Sequence, residues 1–68
     1  MIALTLRQKR LFAMLADGAT HSVIEIAMRL RIADPRSEIR NLRNKGVNVL
    51  DYWEAGRDGK YKRYYIPR

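Results

Sequence analysis

The sequence predicts a mostly α domain of three short helices closed by a C-terminal β-hairpin, an α+β fold class. Three observations carry this. Three helix-start signals each precede apolar residues at helical spacing. After Gly46 the pattern changes to one rich in β-branched and aromatic residues, and a glycine-containing turn signal splits that stretch in two. At 68 residues the chain sits at the low end for one domain, so a single domain over 1–68 is expected. A hydrophobic core of this size supplies only roughly 3–5 kcal/mol, which makes every cap and buried side chain count.

The first helix is expected over about 6–17. Thr5-Leu6-Arg7-Gln8 has capping-box spacing, Leu11 and Leu15 recur at i, i+4 with Phe12 and Met14 widening the stripe, and Gly18 is placed to stop it. A second capping box, Ser22-Val23-Ile24-Glu25, opens a helix over about 23–30, in which Val23, Ile26, Ala27 and Leu30 form one buried face. Asp34-Pro35 opens the third helix, over about 35–45, with Asp34 as N-cap, Pro35 in the first turn, Ile39 and Leu42 inward and Gly46 as the stop. Strands are expected over about 47–54 and 61–66. With Asp58-Gly59 as the turn, Trp53 falls opposite Tyr64 and Asp51 opposite Ile66. Val47, Val49, Trp53, Tyr64 and Ile66 then share the core-facing side, with Trp53 and Tyr64 as its anchors, and Tyr52, Glu54, Arg63 and Tyr65 share the other.

Composition narrows the function. There is no cysteine and one histidine, which removes disulfides, thiolate metal sites and cysteine nucleophiles; no metal or cofactor is expected. The carboxylates are scattered, and adjacency of His21 and Ser22 in sequence does not pair a nucleophile with a base, so no catalytic residues are expected and the chain reads as a non-enzyme. Nothing marks a small-molecule ligand, a membrane span or a signal peptide, and a cytoplasmic location is expected. Fourteen cations against seven anions give +7, and ten of the fourteen are arginine, which points to a polyanionic partner. Residues 36–68 carry +5 of that charge and residues 1–35 only +2.

The element order, with only Arg31 to Ala33 between the second helix and the Asp34 cap, is that of a helix-turn-helix followed by a hairpin wing. Over essentially its whole length the chain resembles the small winged helix-turn-helix proteins common in bacterial prophages. Thr5, Arg7, Gln8, Leu11 or Phe12, Leu15, Leu30, Ile32, Arg36, Ile39, Leu42, Arg43, Gly46, Val49, Arg63, Tyr64 and Ile66 carry the resemblance. It implies a three-helix winged helix-turn-helix and nucleic-acid binding, in a phage-type transcriptional or replication regulator. Arg31 stands where that family usually has glycine; at positive φ an arginine there costs about 1 kcal/mol.

With Ile39 and Leu42 inward, Ser37, Arg40, Asn41 and Asn44 turn outward, with Arg36 and Arg43 on the borders. Arginine can bond guanine twice and asparagine can do the same with adenine, so Arg36, Ser37, Arg40, Asn41 and Asn44 are the candidates for base readout in a major groove; the competing reading is a plain solvated face. Arg43, Arg57, Lys60, Lys62 and Arg63 are candidates for DNA backbone contact. Cations on the hairpin also serve to protect an edge strand. Ser22 is a further backbone candidate, although capping alone accounts for it. Arg7, Lys9 and Arg10 oppose the dipole of the first helix and are explained equally well by solvation.

The leading expectation is a double-stranded DNA-binding module with helix 35–45 in the major groove and the basic turn region 56–63 on the backbone. A homodimer would lengthen the site read. The alternative is a protein–protein adaptor using Leu50, Tyr52 and Tyr65, and a third reading is a binder of single-stranded or structured nucleic acid.

Overall fold

The computed structural model describes residues 3–67, and its first helix starts at the capping box. Thr5 Oγ1 accepts the Gln8 amide at 3.2 Å and Gln8 Oε1 accepts the Thr5 amide at 2.9 Å, opening α1 (Leu6–Leu15). The helix ends two residues before the expected Asp17. That aspartate is a turn residue: its Oδ1 accepts the Ala19 amide at 2.8 Å, an alternative to continuing the helix.

α2 (Val23–Leu30) has the expected bounds, with Ser22 Oγ accepting the Glu25 amide at 3.1 Å. The second half of the expected capping box is not made, because His21 and Arg29 take the Glu25 carboxylate instead. α2 stops on Arg31, which has φ 54 and ψ 46 and is the one non-glycine residue at positive φ among those described. This left-handed residue lets the Ile32 amide reach back to the Ala27 carbonyl at 3.1 Å and turns Ile32 into the core. Asp34 then caps α3 (Pro35–Asn44), which ends one residue earlier than expected, with Lys45 as its C-cap.

Two antiparallel strands follow, β2 (Leu50–Gly56) and β3 (Gly59–Tyr65). A short strand absent from the sequence reading, β1 (His21–Ser22), pairs with the far side of β3, so the sheet order is β1-β3-β2. The domain is therefore an α+β unit of three helices and a three-stranded antiparallel sheet. The Ile66 amide donates to the Leu15 carbonyl at 2.9 Å, which ties the end of β3 to the end of α1.

The hairpin register corrects the expected one by two residues. Gly56 pairs with Gly59, so Arg57 and Asp58 form the turn rather than Asp58 and Gly59; Asp51 lies opposite Tyr64 and Trp53 opposite Lys62. The two glycines explain the choice. Gly59 sits at φ 123, which side-chain-bearing residues rarely adopt, and a Cβ on Gly56 would meet Tyr61 Cε1 at 3.0 Å. Glycines therefore flank the turn. A slip of two keeps each residue on its expected face, since side chains alternate with period two.

Leu11, Leu15, Ile26, Ile39 and Leu42 are fully buried at the centre, joined by Met14, Ile32, Val49 and Tyr64. Val23, Leu30, Val47 and Ile66 pack on the rim. Trp53 corrects the sequence reading: it shares a face with Tyr64, which is 5% exposed, yet is itself 62% exposed. No helix among the described residues is long and apolar enough to cross a membrane.

Candidate nucleic-acid interface

Packing Ile39 and Leu42 inward exposes Arg36, Ser37, Arg40, Asn41 and Asn44 on α3, as their spacing requires. The structure then divides this set. Arg36 and Arg40 lie on the flank of α3 toward the hairpin, where they line a hollow of about 310 Å³ with Trp53, Lys62 and Tyr64. Asn41 lies on the other flank, over a shallow depression shared with Thr5, Arg7 and Glu38. Ser37 uses its backbone amide on the Asp34 cap and keeps its side chain exposed, as does Asn44.

Beside the first hollow lies an open groove of about 630 Å³ between the start of α2, Arg36 and the hairpin tip. Arg36, Trp53 and Lys62 line both, so the two form one continuous surface. Seven cations line it against a single carboxylate, Asp58. That concentration of one sign in concave surface focuses a positive potential where α3 and the hairpin meet. Ser22 lines the groove as well, although its hydroxyl already caps α2.

Hydrogen bonding separates the cations available to a ligand from those committed to the fold. Arg43 donates from Nε and Nη2 to the Val49 carbonyl at 3.0 and 2.9 Å, and from Nη2 to Asp51 at 2.8 Å. Its charge holds the end of α3 to the start of β2. Lys62 stands 3.9 Å from Asp51 and 5.1 Å above the Trp53 ring centre. Arg63 bonds the Thr20 hydroxyl and carbonyl at 3.1 and 3.2 Å and lies 3.5 Å from Glu54, bracing β3 against the loop before β1. The side chains of Arg36, Arg40, Arg57 and Lys60 make no hydrogen bond or ion pair with another described residue. All four border the continuous surface.

Of the basic cluster at the start of α1, Arg7 lies 3.6 Å from Glu38 and Lys9 and Arg10 are exposed. The aromatic residues of the hairpin divide by strand parity. Tyr52, Tyr61 and Tyr65 share the face with Leu50, where Tyr52 and Tyr65 meet edge-to-face at 6.2 Å and the Tyr61 hydroxyl donates to Glu54 at 2.7 Å. Trp53 and Tyr64 stand on the α3 side, Tyr64 buried and Trp53 exposed.

The sequence reading missed the role of His21. It is 3% exposed and bonded through both ring nitrogens, Nδ1 to Glu25 and Nε2 to Asp17 at 3.0 Å. Burial acts to lower its pKa, but the two hydrogen bonds and the paired negative charges outweigh it and hold the imidazole above its ordinary value. Glu25 is held below its usual range by the bond from His21, and Asp17 by the Ala19 amide and then by His21. The i, i+4 spacing of Asp17, His21 and Glu25 was visible, but these residues lie on a turn, a strand and a helix, so spacing alone had no geometric meaning. No group of three or more His, Asp or Glu side chains among the described residues has the arrangement to hold a metal ion.

Comparison with family models, with curated proteins and with solved structures returns no match to this chain.

Proposed function

We propose that this domain is a winged helix-turn-helix that binds double-stranded DNA, with α3 in the major groove and the β2–β3 hairpin as a wing along the flanking backbone. The observation that carries the reading is the set of unpaired cations: Arg36 and Arg40 on α3 and Arg57 and Lys60 on the hairpin border one continuous concave surface. A fold gains nothing by collecting like charges with no internal partner; a row of phosphates rewards it. In this reading Arg40, with Ser37, Asn41 and Asn44, meets base edges, Arg36 sits at the groove margin, and Arg57 and Lys60 neutralise phosphates. Lys62 adds to the field while remaining tied to Asp51. Arg43 and Arg63 act through the scaffold, since their guanidiniums are engaged within it. The biological role that fits is a small phage-type transcriptional or replication regulator in the cytoplasm, acting by occupying its site.

The test is a titration of the protein against duplex DNA, single-stranded DNA and RNA at two salt concentrations. Duplex is expected to bind tightest. Arg57→Gln with Lys60→Gln should flatten the slope of log affinity against log salt by about 1–2 units on any sequence, at about 0.9 per phosphate neutralised. Replacing Arg40 or Asn41 with alanine should cost roughly 1–3 kcal/mol on the preferred site and much less on random duplex. If duplex does not bind, the adaptor reading leads, supported by the partly exposed Leu50 and Tyr52 on the opposite sheet face.

A further inference from the structure

Trp53 is the largest apolar side chain of the hairpin, and folding leaves it 62% exposed although Tyr64, on the same sheet face, is buried. An indole left in water is apolar area that the core does not use, and its usual return is at an interface. Its position is specific: it lines both halves of the cationic surface, between Arg36 of α3 and Lys62 of β3. The Lys62 ammonium, 5.1 Å above the ring centre and 3.9 Å from Asp51, holds the ring in place.

We infer that Trp53 is a DNA contact residue, packing its indole against the deoxyribose surface of the duplex backbone between Arg36 at the groove margin and the phosphate neutralised by Lys60. The inference rests on the duplex-binding reading above and adds to it an apolar contact. Charge complementarity selects the occupant, because an apolar surface rimmed by unpaired cations matches a chain that alternates sugar carbons with phosphates. Strand parity selects sugar over unpaired bases. A platform for single strands needs successive free aromatic faces; Tyr52 and Tyr65 lie on the opposite face of the sheet, and Tyr61, which borders the groove, is engaged through its hydroxyl on Glu54 and its ring on Arg63.

Trp53 is the single tryptophan of the chain, so its fluorescence reports one position. The experiment follows a dye-labelled mixed-sequence duplex by anisotropy and, in parallel, acrylamide quenching of Trp53 in free and bound protein. The expected result is that quenching falls at least about twofold on binding and that Trp53→Ala weakens duplex affinity about tenfold, the scale of re-exposing part of an indole. Trp53→Phe should recover most of the loss. The salt slope should stay as in the wild type for both variants, since no charge is removed; this separates the contact from that of Arg57 and Lys60. Circular dichroism melts check that each variant folds. If the duplex binds while quenching is unchanged and Trp53→Ala binds as wild type does, Trp53 is off the interface and the inference fails with duplex binding intact. Tighter binding and stronger protection on the single strand would overturn sugar packing in favour of base stacking. Absence of any anisotropy change with the wild type overturns the duplex reading and this inference together.

Discussion

Arg31→Gly should make the domain more stable, although it deletes a side chain. Arg31 occupies the left-handed region at φ 54, ψ 46 and closes α2 so that the Ile32 amide reaches the Ala27 carbonyl. A side-chain-bearing residue pays about 1–2 kcal/mol for that conformation, because its Cβ crowds the following carbonyl. Glycine removes this cost but loses about 0.4–1 kcal/mol to the greater freedom of its unfolded chain. The Arg31 side chain is exposed and makes no hydrogen bond or ion pair with another described residue, so little else is lost. The net gain is about 0.5–1 kcal/mol, a visible part of the roughly 3–5 kcal/mol that such a core supplies. At about 4–8 °C per kcal/mol for a domain of this size, Tm should rise by roughly 2–8 °C. Arg31→Gln is the control: it removes the same charge and keeps the Cβ, so it should stay within about 0.5 kcal/mol of the wild type. Urea and thermal melts of the three proteins decide it. If the glycine variant is no more stable than the glutamine variant, the left-handed turn at Arg31 carries no strain and the argument fails.

Leu42 has no solvent exposure, and Leu42→Ala should cost roughly 2–5 kcal/mol, enough to leave much of the protein unfolded by circular dichroism; wild-type melting would mean that α3 packs by another face. Arg43→Ala should lower the urea midpoint by the equivalent of about 1–3 kcal/mol, through loss of its bonds to the Val49 carbonyl and Asp51, whereas Arg36→Ala should leave stability unchanged and, on the duplex-binding proposal, weaken DNA affinity alone. For His21, a pKa raised above 6.5 means that folding favours the imidazolium; its contribution is complete below 6.5 and is lost as pH rises through the folded-state value. Glu25 and Asp17, held below 4.5 and 3.8, contribute above those values and lose it in acid. Urea midpoints should therefore peak between about pH 4.5 and 6.5 and decline on both sides, and His21→Gln should flatten the alkaline decline; an equal decline in that variant would place the sensitive group elsewhere.

Helix starts and buried helix faces follow from the residues alone. Thr5 with Gln8, Ser22, and Asp34 with Pro35 start their helices where those residues stand, because caps act within one turn of chain. The apolar spacing of Ile39 and Leu42 likewise decided which face of α3 is buried and which side chains are left outside. What spacing cannot carry is the third dimension. Trp53 and Tyr64 share one sheet face, but the helices cover the sheet only as far as Tyr64, so one ring is core and the other surface. Two glycines flank the turn and parity tolerates a slip of two, so the register goes with the positive φ of Gly59 and the close approach of the Tyr61 ring to Gly56, neither of which spacing encodes. β1 is two residues long and carries no periodic signal; it exists because β3 presents a free edge next to the loop that Arg63 holds through Thr20. The partition of the cations is tertiary in the same way. Arg43, Lys62 and Arg63 are chemically the equals of Arg40, Arg57 and Lys60, and only the folded positions of Asp51, the Val49 carbonyl and Thr20 determine which charges the scaffold uses and which it leaves unpaired among the described residues.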